Sequence, residues 1–166
     1  MFHGQKITPC LWFDHQAEEA ANFYVSVFKN SKILSVTRYG KAGQHVHGQP
    51  EGSVMAVSFV LDGAAFSALN GGPIFKFTEA ISLQIGCDNQ EEVDHFWSKL
   101  SAGGDPRAQQ CGWLKDRYGL SWQVVPRALI EMMSDPDKEK SQRATQAMLQ
   151  MKKFDIAKLQ EAFEGK

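Results

Sequence analysis

Cysteine is scarce, with only Cys10, Cys87 and Cys111 in 166 residues. They are odd in number, far apart and form no Cys-x-x-Cys pair. This argues against a disulfide framework or a thiolate-built zinc site and fits the reduced thiols of a cytoplasmic protein. Charge of one sign is not in excess either: 18 Lys and Arg stand against 19 Asp and Glu, a net charge of −1. Without a basic stripe there is no electrostatic footprint for nucleic acid or an anionic membrane surface. No apolar run approaches the roughly 20 residues that cross a bilayer. The start, Met-Phe-His-Gly-Gln-Lys, lacks the charged and then apolar regions of a secretory leader, so none is expected.

What is present is a globular mixture, 43% apolar and 22% charged, at the length of one ordinary domain or two small modules sharing a core. Residues 7–13 read as a strand, with Pro9 near its start. Ala17, Ala20, Ala21, Tyr24, Val27 and Phe28 then recur at helical spacing, with Glu18 and Glu19 in the first turn where the dipole favours them. A strand over 32–39 is followed by a glycine-rich polar loop over 40–52. Strands over 53–61 and from Ala65 to Leu69 are joined at Asp62-Gly63, a hairpin signal.

The same order then begins again. A strand over 80–87 leads to a helix from Gln90 to Leu100, capped by Asp88 or Asn89, with Val93, Phe96, Trp97 and Leu100 on one stripe. Strands near 107–110 and over 112–117 and 120–125 complete this half, and Pro126 ends it. The repeat shows in element order rather than residue identity. The expected fold class is therefore α+β, with paired βαβββ modules forming a curved mixed sheet around a cavity. The domain proper spans 1–126, its halves about 5–70 and 78–126. Residues 127–166 read as a helical C-terminal extension, with Pro136 suited to a first helical position.

Several motifs together carry a family resemblance. They are Leu69-Asn-Gly-Gly-Pro73, Ala80-Ile-Ser82, Cys111-Gly-Trp-Leu-Lys-Asp116 and Tyr118-Gly-Leu-Ser-Trp-Gln-Val-Val-Pro126. Phe13-Asp14, Ala17-Glu-Glu-Ala20, Phe23-Tyr24 and the tail around Asp135 to Arg143 join them. With these the chain resembles the PhnB-like family of the glyoxalase, bleomycin-resistance and dioxygenase (vicinal-oxygen-chelate) superfamily, whose members often carry the label 3-demethylubiquinone-9 3-methyltransferase. The resemblance implies a homodimer with a ligand cavity. A methyltransferase of the common class needs a strand, a glycine-rich turn and a helix around its cofactor. Here Gly71-Gly72-Pro73 precedes no helix and Gly103-Gly104 follows one, so no S-adenosylmethionine site is expected.

Metal-dependent members of the superfamily project His and Glu from four strands onto a concave face. The matching positions here fall near Thr8 or Pro9, Asn70, Ser82 or Ile81, and Gln123, and none is a His or a carboxylate. Alternation along the strands sends Thr8, Cys10 and Trp12 toward the cavity, with Phe66, Ala68 and Asn70, Ser82 and Gln84, and Ser121, Gln123 and Val125. Ile81, Leu83 and Ile85 should lie under the second helix. The expected lining is Trp12, Phe66, Asn70, Ser82, Gln84, Trp113 and Gln123, with Phe75 nearby. Such a wall suits a small, mostly apolar ligand oriented by a few hydrogen bonds, with neither metal nor other cofactor. The alternative is an enzyme of the superfamily, of metal-dependent isomerase, lyase or dioxygenase type, or the methyltransferase of the label. His45 and His47 would share a face only in an extended loop, and a solvated loop is the reading preferred for them. Asp116, Arg117 and Tyr118 read as a turn or structural ion pair before an acid–base pair.

Overall fold

The computed structural model describes residues 5–166; Met1 to Gly4, on which part of the leader expectation rests, lie outside the described residues. The chain divides into two units, one ending at Lys76 and the other beginning at Phe77.

The first unit runs β1 (Cys10–Phe13), α1 (Ala17–Val27), β2 (Lys32–Arg38), α2 (Gln44–His47), β3 (Val54–Leu61) and β4 (Ala64–Asn70). Its sheet has the order β1-β4-β3-β2, with β1 parallel to β4 and the other pairs antiparallel. That is one βαβββ module, as the sequence predicts. Helix α1 forms because its small and aromatic residues fall on one stripe. Ala17, Ala20, Ala21, Tyr24 and Val27 are all buried, and the alanines let the helix lie close enough for Tyr24 to stack on Phe59 at 6.5 Å. At the β3–β4 hairpin both connecting residues have positive φ, Asp62 at 44° and Gly63 at 80°, the two-residue turn whose twist matches the strands.

The second unit runs β5 (Leu83–Cys87), α3 (Gln90–Ser101), a 3-10 turn (Pro106–Ala108), β6 (Trp113–Lys115), β7 (Ser121–Pro126), α4 (Arg127–Met133), α5 (Lys138–Leu149) and α6 (Ile156–Glu164). Its sheet has the order β5-β7-β6, with β5 parallel to β7. The Asn89 side chain caps α3 by accepting from Glu92 N–H at 3.0 Å, while Glu92 Oε2 accepts from Asp88 N–H. These reciprocal bonds satisfy two exposed donors of the chain.

Three expectations are corrected here. The strand near 107–110 is replaced by the 3-10 turn, leaving an isolated bridge between Gln110 and Trp113. Pro106 supplies no N–H, and the Asp105 side chain accepts from Arg107 N–H, so local bonding displaces the ladder. Strand β5 begins at Leu83 rather than Ala80, and Ile81 is 74% exposed instead of buried under the helix. Pro136 precedes the cap of α5 rather than opening that helix; Asp137 is the cap, accepting from Glu139 and Lys140 N–H groups.

The tail packs within the second unit. Leu129, Met132, Ala144, Phe154, Leu159 and Phe163 form a buried cluster of their own, and Arg143 donates to the carbonyls of Ala162 and Phe163 at the end of α6. Among the described residues no helix is long and apolar enough to cross a membrane.

Candidate functional site

Sheet pairing decides which side chains share a face. In the first unit, Phe59 lies opposite Phe66, Ala68 opposite both Val57 and Leu11, and Asn70 opposite Phe13. Phe66 stacks on Phe59 at 5.6 Å, and Phe59 in turn lies under Tyr24 of α1. Phe66, Ala68 and Asn70 therefore face the helix, a correction to their expected place in the cavity. The physical reason is clearest at Asn70. Helix α1 begins at Ala17 without a capping side chain of its own, and Asn70 Oδ1 accepts from Ala17 N–H at 2.8 Å while Nδ2 donates to Val54 O. A polar residue at a strand end serves a neighbouring helix terminus instead of a ligand.

Trp12 lies on the opposite face. Its indole N–H donates to Gly72 O at 2.8 Å, and its ring meets Phe75 edge-on at 4.9 Å. The ring also covers Gly71, where an added Cβ would come within 2.1 Å of it. The glycine pair is thus filled by tryptophan.

In the second unit the expected residues come together. Gln84 lies directly across from Gln123, and Gln123 across from Trp113. Gln84 Nε2 donates to Gln123 Oε1 at 3.2 Å, and Gln123 Nε2 donates to the Ser82 hydroxyl at 2.7 Å. This amide–hydroxyl row occupies the face away from the buried Leu114, Trp122 and Val124. A cavity of about 440 Å³ is lined by Glu79, Ala108, Gln110, Cys111, Trp113, Leu114, Lys115 and Ser121; of the expected lining residues Trp113 is in this wall, while Ser82, Gln84 and Gln123 are not.

Polar groups in this cavity are unevenly satisfied. Lys115 Nζ pairs with Glu79 Oε1 at 2.5 Å, the lysine side chain being 25% exposed and the glutamate 63%. The hydrogen bond from Lys115 holds the Glu79 carboxyl below its usual range. Ser121 lies opposite Lys115; it is 1% exposed, and its hydroxyl oxygen has no hydrogen-bond partner among the described residues. Buried hydroxyls without a partner are uncommon and call for an explanation. Cys111, also in the wall, has φ of +49°, a left-handed conformation that few residues other than glycine adopt. Nearby, Arg107 pairs with Asp105 at 2.8 Å, and this hydrogen bonding draws the Asp105 carboxyl down to about 2. The sequence signals Ser121 and Trp113 through alternation; Glu79 and Lys115 escape it, although Lys115 shares the parity of Trp113.

A divalent cation of the superfamily type does not fit these residues. Among the described residues no three His, Cys, Asp or Glu side chains converge, and neutral amides and hydroxyls are poor ligands for zinc, iron or nickel. His45 and His47 sit on the single turn of α2 rather than an extended loop. The His47 ring accepts from Gln49 N–H through Nδ1, contacts Ala42 O through Nε2 and packs against Tyr39 at 4.5 Å. The second glycine pair is likewise no cofactor cradle, because a Cβ on Gly104 would lie 2.0 Å from Lys115 O.

A βαβββ module followed by a second β-α-β unit, each with a sheet whose first and last strands pair in parallel, defines the glyoxalase, bleomycin-resistance and dioxygenase fold class. Within it, residues 5–125 match the family described as 3-demethylubiquinone-9 3-methyltransferase, and the chain belongs to that family. A PhnB protein of Bacillus cereus bearing the same methyltransferase description is 39% identical, with a TM-score of 0.63 over 74% of this chain and 99% of that one. A Pseudomonas aeruginosa protein, 19% identical, shares the fold with a TM-score of 0.57 over 74% of this chain and 98% of its own. The fosfomycin resistance protein FosX of Mesorhizobium loti does so at 11% identity, with a TM-score of 0.51 over 80% and 98%. No curated protein matches the chain.

Proposed function

We propose that this chain binds a small, mostly apolar molecule on the open face of its second sheet, and that it does so without a resident metal. The observation that carries this reading is the unpaired Ser121 hydroxyl in the wall of a cavity of about 440 Å³. A buried donor with no internal partner loses a hydrogen bond's worth of stabilisation unless something in the cavity supplies it. Trp113 and Ala108 offer the apolar surface, and the Ser82–Gln123–Gln84 row, which adjoins the wall where Gln123 pairs with Trp113, adds neutral donors and acceptors on the same face. Rings and aliphatic walls with a few polar groups are the usual composition of small-molecule sites. The protein acts as a cytoplasmic homodimer in this reading.

Methyl transfer, which the family description names, has less support. Gly71 is covered by Trp12 and Gly104 abuts the Lys115 carbonyl, so neither leaves backbone amides open to a cofactor. Elemental analysis of the purified protein, joined to a structure grown in the presence of cell extract, tests the proposal. Organic density beside Trp113 and Ser121 with sub-stoichiometric metal is the expected result. Stoichiometric zinc, nickel, manganese or iron held by protein side chains would overturn it.

A further inference from the structure

The Glu79–Lys115 pair has the form of an internal stand-in for a ligand. Lys115 is fixed on β6, three-quarters covered, with its ammonium group at the cavity. Glu79 comes from the irregular stretch before β5, is mostly exposed and is not part of a strand or helix. A lysine so covered keeps its charge at lower cost when an anion is beside it. Asp105 also feels Lys115, and that group is already taken up by Arg107. Ser121 stands directly across the antiparallel pair from Lys115, a separation that brings Cβ atoms to within about 5.5 Å of each other. Its hydroxyl is a donor without an acceptor among the described residues. One ammonium and one free hydroxyl on adjacent strands, beside the Trp113 ring, make a recognition pair for a carboxylate on an apolar body.

We infer that the ligand is an apolar carboxylic acid whose carboxylate takes the place of Glu79 on Lys115 and accepts the Ser121 hydroxyl. This rests on the cavity reading above and adds the chemical class of its occupant. Glu79 acts as a built-in competitor that keeps Lys115 paired until the ligand arrives. Because Glu79 lies outside the strands and is 63% exposed, its displacement need not disturb the sheet. Trp113, across the strand pair from Gln123, packs against the apolar body.

The test uses two probes of equal shape, 2-naphthoate and 2-naphthamide, titrated into the full-length protein by calorimetry, with amide chemical shifts as a second readout. Wild type should prefer the carboxylate. Glu79→Gln, a change at an exposed side chain, should tighten naphthoate binding about tenfold and leave naphthamide unchanged, a gain in the range of one charge-assisted hydrogen bond. Lys115→Met should abolish the preference for the carboxylate, and Ser121→Ala should weaken naphthoate binding about tenfold. Equal affinity for both probes in wild type and in Glu79→Gln would sink the carboxylate assignment while leaving the cavity reading intact. If neither probe binds or shifts the amides of β6 and β7, both readings fall.

Discussion

Trp122 donates its indole N–H to Asp116 Oδ2 at 2.9 Å, deep under the second sheet, where Asp116 is only 2% exposed. The other carboxylate oxygen accepts the backbone N–H groups of Tyr118 and Leu120 at 2.8 and 3.1 Å. One acidic side chain thus closes the β6–β7 turn and fixes the largest ring of the core. It belongs to the scaffold of the cavity.

Removing either partner should therefore be expensive. Asp116→Ala leaves the indole donor and two turn amides without this acceptor, and is expected to cost about 2–4 kcal/mol as a sum of lost charge-assisted bonds. Trp122→Ala should cost about 3–5 kcal/mol as a core deletion. In a double-mutant cycle by urea unfolding the two losses should be less than additive, because the partners share one bond. Full additivity would show that the bond contributes nothing.

Gln123 sits one residue along, on the opposite face, and its substitution should separate binding from folding. Its side chain bonds Ser82 and Gln84 at a surface open to solvent. Water can replace those partners, so Gln123→Ala should cost less than about 1 kcal/mol in stability. Ligand affinity should nevertheless fall. A loss of stability as large as that of Trp122→Ala would mean that the face assignment of β7 is reversed.

The contrast between these neighbours also shows what could be read from sequence. Strand alternation placed Trp122 inside and Gln123 outside, because β7 is bracketed by a tight turn and Pro126 and has a single register. The same rule failed on β4. There both faces carry small or apolar residues, and the polar end residue Asn70 had two possible employers, a cavity or the bare N-terminus of α1. Only the pairing of Phe59 with Phe66 decides, and that is a long-range contact. The Glu79–Lys115 pair was invisible for a similar reason: it joins an irregular segment to a strand 36 residues later, with no periodicity linking them. The strand near 107–110 was lost to Asp105 and Pro106, a local capping signal that outweighs the weak β pattern around it.

Gly104 should tolerate no side chain. A Cβ there would stand 2.0 Å from Lys115 O, and a backbone atom held in the sheet region cannot swing away as a side-chain tip can. Gly104→Ala is expected to cost about 1–3 kcal/mol as overpacking. Because the substitution pushes on the residue that carries the cavity's ammonium, the variant should also lose affinity for an anionic probe. An unchanged melting temperature would show that the loop yields freely.

Two of the cysteines, Cys10 and Cys87, should differ sharply toward alkylating agents. Burial, with Glu92 and Asp88 nearby, pushes the Cys87 thiol up from 9.0 to about 12, whereas Cys10 is exposed. At pH 8 iodoacetamide should label Cys10 in the native protein and reach Cys87 only after denaturation, as mass spectrometry of the peptides would show. The same shift has a consequence for stability. The folded state holds this proton more tightly than the unfolded chain, so the thiol's contribution is complete below pH 9.0 and is lost as pH rises toward 12. Cys87→Ala should flatten the fall of stability over that interval. An identical slope in the variant would show that the thiol titrates alike in both states.

The tail helices should prove inseparable from the second sheet. Phe154 is 1% exposed, its ring lies against Gly112, and its carbonyl accepts from Gln90 Nε2 while Gln90 Oε1 accepts from Ile156 N–H. The amides of Cys111 and Gly112 donate to the carbonyls of Met151 and Lys152 at 2.9 and 2.8 Å. Residues 151–156 are thus bonded to α3 on one side and to the approach to β6 on the other. A dispensable arm would be held by side chains at its surface; this one is held by its main chain and supplies Phe154, Leu159 and Phe163 to a core shared with Leu129 and Met132. Phe154→Ala is expected to cost about 3–5 kcal/mol. Deleting 134–166 should broaden unfolding and expose apolar surface that binds a fluorescent dye, and since Cys111 lines the cavity, ligand binding should go with it. A truncated chain that unfolded at the same urea midpoint as the whole would instead make the tail an independent appendage.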